Sequence, residues 1–109
     1  MAPIISKKIP ASMVLETESV VAFNDINPTA PKHILIVPKI HVASLNQVAP
    51  DQVSIVADML IAAQKIAHDV GIGRSGYRLV INTERGAGQT VDHIHLHLIG
   101  GRPLSWPPG

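Results

Sequence analysis

The chain has 109 residues, length enough for one domain with a modest core. A net charge of +1 without a basic block excludes a surface built for duplex DNA or RNA, and the lack of cysteine excludes a disulfide framework and thiol catalysis. No apolar run approaches the roughly 18 residues of a membrane span and the N-terminus lacks a signal-peptide core, so no membrane association and a cytoplasmic location are expected.

Residues 1–10 carry Ile4, Ile5 and Ile9 around Lys7 and Lys8 and end at Pro10, as a short helical turn laid on a sheet would. Residues 12–17 and 19–23 are β-rich runs separated by a polar break, which predicts a hairpin. The second run gives way to Asn24-Asp25-Ile26-Asn27-Pro28, a turn by composition in which Asp25 can form an Asx-turn. Pro28 and Pro31 stiffen a loop leading to His33-Ile34-Leu35-Ile36-Val37, an aliphatic run expected of a buried strand that Pro38 ends. On its own, His33 is a polar residue at the start of that strand.

Residues 41–50 are expected to be loop, with His41 at the surface. The long helical candidate spans 51–70, where Val53, Val56, Leu60, Ala63 and Val70 repeat near helical spacing and Ile55, Met59, Ala62 and Ile66 widen the stripe. Pro50 and Asp51 suit its first turn, Gly71 suits the position after its end, and His68 is expected as a surface side chain near the C-terminal dipole. Tyr77 to Asn82 is a further strand, and residues 83–88 turn the chain. With three aromatic residues, Phe23, Tyr77 and Trp106, the core must be aliphatic. Five strands, one main helix and short connections predict an α+β fold with an antiparallel sheet.

The most informative stretch follows. Gln89-Thr90-Val91-Asp92-His93-Ile94-His95-Leu96-His97-Leu98 places three of the six histidines at i, i+2 and i+4 with aliphatics between them. Alternation of this kind predicts a strand with the three imidazoles on one face. A polar outer face, a metal site supplied by His-x-His, and phosphate chemistry with imidazole as nucleophile and acid all fit that pattern. Gly86-Ala87-Gly88-Gln89-Thr90, a small turn whose amides can cradle an anion, favours phosphate. The middle histidine, His95, is the best-placed nucleophile, flanked on both sides by donors.

This stretch resembles the motif of the histidine triad (HIT) superfamily. The ending Gly100-Gly101-Arg102-Pro103-Leu104-Ser105-Trp106-Pro107-Pro108-Gly109 is similar to that of its Hint branch, the histidine triad nucleotide-binding proteins or purine nucleoside phosphoramidases. Phe23-Asn24-Asp25-Ile26 and Ala30-Pro31-Lys32-His33 extend the likeness over nearly the whole chain. The resemblance implies a single domain over residues 1–109 with 101–109 as a tail, in a homodimer whose two sheets join. It implies a hydrolase that takes purine nucleoside 5′-phosphoramidates, and acyl- or aminoacyl-adenylates, to the nucleoside monophosphate. His95 would attack the α-phosphate and carry the nucleotidyl group. The carbonyl of His93 would orient His95, His97 and Thr90 would serve the phosphate and the departing amine, and His33 would support the cluster through His93.

The resemblance further assigns Asp25 to the ribose hydroxyls, and Ile4, Phe23, Ile26 and Leu35 to the purine. Asn24, Asn82, Gly88, Gln89 and Val91 fall on phosphate- and ribose-side positions, and Trp106 reaches the partner's site. AMP, GMP and their phosphoramidates are the implied ligands, with no metal or other cofactor, because imidazole supplies the nucleophile. A dinucleoside polyphosphate hydrolase and a nucleotide-binding interaction protein are the alternatives. Thr90 stands where many members carry Ser, Asn24 where some carry His, and Asp92 where an aromatic or apolar residue is usual.

Overall fold

Period-two patterning and β-branched content produce the expected five strands in the computed structural model, which describes residues 12–109. Ile4 and the N-terminal turn lie outside the described residues. The strands are β1 (Met13–Glu16), β2 (Val20–Asn24), β3 (Lys32–Pro38), β4 (Tyr77–Val80) and β5 (Leu96–Gly100). They form one antiparallel sheet in the order β1-β2-β3-β5-β4, so β1 and β4 are its edges. Thr17 closes the first hairpin by accepting at Oγ1 from the amides of Ser19 and Val20.

The one long helix, α1 (Val53–Asp69), follows a 3-10 turn at Pro50–Gln52 and ends where Val70 N–H donates to the Ile66 carbonyl. Gly71, at φ +84°, takes the chain off the helix as its position predicts. Met59, Ala62, Ala63, Ile66 and Ala67 form its buried stripe, and the alanines let the helix sit close to the sheet. They meet Val20, Ala22, Ile34, Ile36, Leu96 and Leu98, the aliphatic core on one sheet face. Val53 and Leu60, expected in the stripe, are exposed along with Ile61. At 3.6 residues per turn they lie roughly a quarter-turn or more from the buried centre, so the sheet cannot cover them. No helix among the described residues is long and apolar enough to cross a membrane.

The histidine stretch departs from expectation. Only Leu96, His97 and Leu98 of the alternating run lie in β5, while residues 91–95 are irregular. Register explains why. Leu35 pairs with His97 and Ile36 with Leu96, so continuing the ladder would set Pro38 opposite Ile94. Proline offers no amide hydrogen, and Ile94 N–H donates instead to the Val42 carbonyl at 2.7 Å. Parity therefore stops fixing side-chain direction before it reaches His93.

Candidate active site

The sheet face away from α1 carries the site. On it Met13, Phe23, Leu35, His97 and Val80 form a cross-strand row, each residue paired with the next. Phe23 and Leu35 belong to a second apolar cluster with Val21 and Val37, so His97 projects beside an apolar floor. Two residues along β3 from Leu35, His33 is buried on the same face and meets His97: Nε2 of His33 lies 3.0 Å from Nδ1 of His97. The ring centroids of His33 and His97 are 5.2 Å apart, and those of His95 and His97 5.1 Å. The converging imidazoles are therefore His33, His95 and His97.

Partner roles fix the hydrogens. The Thr29 amide donates to Nδ1 of His33 at 3.1 Å, so a neutral His33 carries its hydrogen on Nε2 and donates to Nδ1 of His97. His97 is then left with a hydrogen on Nε2, available to a ligand. Nδ1 of His95 donates to the His93 carbonyl at 2.8 Å, which leaves the Nε2 lone pair of His95 as a nucleophile. Burial, with His95 and His33 alongside, lowers the pKa of His97 to about 4, so its ring is neutral near pH 7.

His93 does not face the other two. Its ring is fully buried, donates from Nε2 to the Pro38 carbonyl at 2.9 Å, and has His41 at its other nitrogen. Burial lowers its pKa, opposed by the bond to Pro38. Two expectations are corrected here. His33 supports the cluster through His97 rather than His93, and the shared face holds two triad rings instead of three, because β5 begins only at Leu96 and the His93 ring is taken by the Pro38 carbonyl and His41.

Asp25 forms the expected Asx-turn and also faces His33. Its Oδ1 accepts from the Asn27 amide at 2.8 Å, closing the Asx-turn, while Oδ2 lies 3.5 Å from Nε2 of His33. Ile26 stands exposed beyond it, and Asn24 donates from Nδ2 to Ser12 Oγ. Asp25, His33 and His97 bring three potential ligand atoms within 4.8 Å of one another. The Thr29 amide nevertheless holds the His33 hydrogen on Nε2, the atom a cation would need bare, so this set is better suited to moving a proton.

The segment entering the motif is tightly held. Gly88 sits at φ +96°, open to glycine and strained for other residues, and ends a 3-10 turn at Arg85–Ala87. Gln89, expected on the ligand side, is buried. Its Nε2 donates to the carbonyls of Ala43 and Val91, and its Oε1 accepts from the Glu84 amide. Glu84, at φ +69°, accepts from Ser44 and Asn46 and so holds the turn against residues 44–46. Thr90 is exposed, and Asn82 and Val91 are half-buried beside this turn. Asp92 is exposed and ion-pairs with Arg85 at 3.8 Å, a contact of little energetic weight at the surface. Glu84 and His41 are the residues that sequence reasoning missed. Their partners lie 38 to 52 residues away, and no local pattern announces them.

Gly101 and Arg102 turn the chain into the tail, where Arg78 donates to the Ser105 carbonyl at 2.9 Å and Arg102 to the Thr29 carbonyl. Trp106 is 82% exposed on this chain.

Known proteins share this fold. The HIT domain model matches residues 6–104, and the chain belongs to that family. It is 48% identical to the purine nucleoside phosphoramidase of Escherichia coli, over 93% of this chain and 85% of that protein. It is 46% identical to an uncharacterised HIT-like protein of Synechocystis, over 97% and 92%. Among solved structures, a HIT family hydrolase from Legionella pneumophila superposes with a TM-score of 0.94 at 50% identity, covering 98% of this chain and 96% of that one. The histidine triad nucleotide-binding protein of Candida albicans superposes at 0.80 with 33% identity, covering 96% and 80%.

Proposed function

We propose that the protein hydrolyses purine nucleoside 5′-phosphoramidates through a covalent intermediate on His95. The observation that carries this reading is the hydrogen bond from Nδ1 of His95 to the His93 carbonyl, which leaves Nε2 bare at the centre of the cluster. In the first step Nε2 attacks phosphorus and the P–N bond breaks. The departing nitrogen leaves as the amine with a proton drawn from solvent, while the Nε2 hydrogen of His97 donates a hydrogen bond to it, and the chain from Thr29 through His33 supports that tautomer. In the second step water attacks the nucleotidyl-imidazole and gives its proton to solvent, the P–N bond to His95 breaks, and the nucleoside monophosphate leaves with His95 restored.

Phe23, Leu35 and exposed Ile26 supply apolar surface suited to a purine, with Asp25 beside them to accept from the ribose hydroxyls. Acyl- and aminoacyl-adenylates share the phosphorus centre and a good leaving group, so they fall within the same chemistry. AMP and GMP are the expected products and ligands. The similarity to a purine nucleoside phosphoramidase supports this over the polyphosphate alternative. Turnover of an adenosine phosphoramidate, run beside a diadenosine polyphosphate, tests it. Faster release of AMP from the phosphoramidate is expected, and the opposite preference contradicts the reading.

A further inference from the structure

The buried ring of His93 has a constraint that the reaction does not itself require. Its Nε2 faces the Pro38 carbonyl, which can only accept, so that nitrogen carries the hydrogen. In the neutral ring Nδ1 is then a bare acceptor, and what lies 3.1 Å from it is Nδ1 of His41, in edge-on ring contact at a centroid distance of 5.0 Å. Two bare nitrogens would repel, so His41 must donate from Nδ1. From these contacts we infer that His41 is a positioning residue for the proposed reaction: it pins the His93 ring, and with it the backbone carbonyl that fixes the tautomer of His95.

The path is short and covalent where it matters. His93 is held at one ring nitrogen by β3 and at the other by the segment after it, and its own carbonyl accepts the hydrogen of His95. No strand ladder fixes this stretch, since β5 starts only at Leu96. In its place stand, among the described residues, the two ring bonds of His93, the amide bond from Ile94 to Val42 and the bond from Gln89 to the Val91 carbonyl. Without His41, Nδ1 of His93 would be a buried acceptor lacking its donor, and rotation of the ring to recover one would move the carbonyl. His95 could then carry its hydrogen on Nε2, the tautomer that cannot attack. The loss falls on the chemical step, because His41 acts through the His93 ring and the carbonyl that holds His95.

This rests on the proposed role of His95, and the test separates the two. Long-range 15N–1H spectra of the wild-type protein report ring tautomers without any substrate. A hydrogen on Nε2 and a bare Nδ1 in His93, with a hydrogen on Nδ1 of His41, are expected; a bare Nδ1 on His41 or a hydrogen on Nδ1 of His93 overturns the inference. Kinetics add the functional arm. His41→Asn keeps a donor close to the position of Nδ1, whereas His41→Leu keeps shape and loses it. The Leu variant should lose on the order of tenfold or more in kcat with KM nearly unchanged, and the Asn variant should recover most of that loss. Equal impairment of the two variants, or wild-type kcat in His41→Leu, overturns it. A wild-type protein without phosphoramidase activity sinks the functional proposal instead, and leaves the tautomer spectra to judge the pair.

Discussion

Asp25 is held by its own loop through Oδ1 and turned toward the histidine cluster through Oδ2, so one substitution can separate structure from binding. Asp25→Asn preserves the acceptor for the Asn27 amide while replacing the oxygen proposed for ribose with a donor. AMP affinity should fall by about 1–3 kcal/mol, and that of a 2′,3′-dideoxy analogue should scarcely change. Equal losses for the two ligands in a calorimetric titration would contradict the ribose assignment. His97 makes a different prediction. Its folded pKa of about 4 lies below the ordinary 6.5, so unfolding takes up a proton between those values. Stability is complete above pH 6.5 and is lost as pH falls through the window to 4, by at most about 3 kcal/mol. Burial gives His93 the same sign. Urea unfolding followed from pH 7 to 4 should show this decline, with a shallower slope in His97→Asn; identical slopes would contradict it. His95 and His97 as candidate site residues, and the Asx-turn at Asp25, were legible in the sequence, because alternation and turn chemistry are local; the ribose role of Asp25 came only from the resemblance. Their partners were not: the bonds His33–His97 and His41–His93 span 64 and 52 residues.

At the scale of elements, the strands and the helix follow from periodicity, and the errors fall where one element meets another. Pro38 in β3 determines where β5 begins, which no reading of residues 89–98 alone could supply. Val53 and Leu60 fit helical spacing yet face away from the sheet, since the stripe that wins is the one containing the closely packed alanines. Gly100 is another such meeting point. A Cβ there would lie 2.8 Å from Cδ1 of Ile72 and 3.2 Å from the Gly76 carbonyl oxygen, whereas one at Gly86 would meet nothing within 4 Å. Gly100→Ala should therefore cost about 1–3 kcal/mol through overpacking at the end of β5. Gly86→Ala should stay within about 0.5 kcal/mol. Chemical denaturation measures both, and equal effects would contradict the packing at β5.

For the whole molecule, we propose a homodimer. The exposed apolar side chains of α1 (Val53, Leu60 and Ile61) and the edge of β4, bearing Leu79, are surfaces that the described residues leave uncovered. An unpaired edge strand invites a second copy to extend the sheet. Trp106, exposed at the end of a tail tethered by Arg78, fits a role against the partner's site. Light scattering at micromolar concentration should give twice the chain mass of 11.6 kDa, and Leu60→Glu with Ile61→Glu should halve it. Truncation after Gly101 should alter leaving-group preference more than AMP affinity. A monomeric wild-type protein would contradict this assembly. Its surfaces were only half legible beforehand, because exposed Leu60 looked like core until the sheet was in place.

The central claim concerns one atom, Nε2 of His95. Rapid-quench mass spectrometry with a slowly hydrolysed adenylate, followed by peptide mapping, reads it directly. The account predicts an adenylyl adduct on His95 that forms and decays at rates consistent with turnover. In His95→Asn that adduct should be absent and turnover lost by several orders of magnitude, with AMP binding retained. An adduct on His93 or His97, or full activity in His95→Asn, would contradict it.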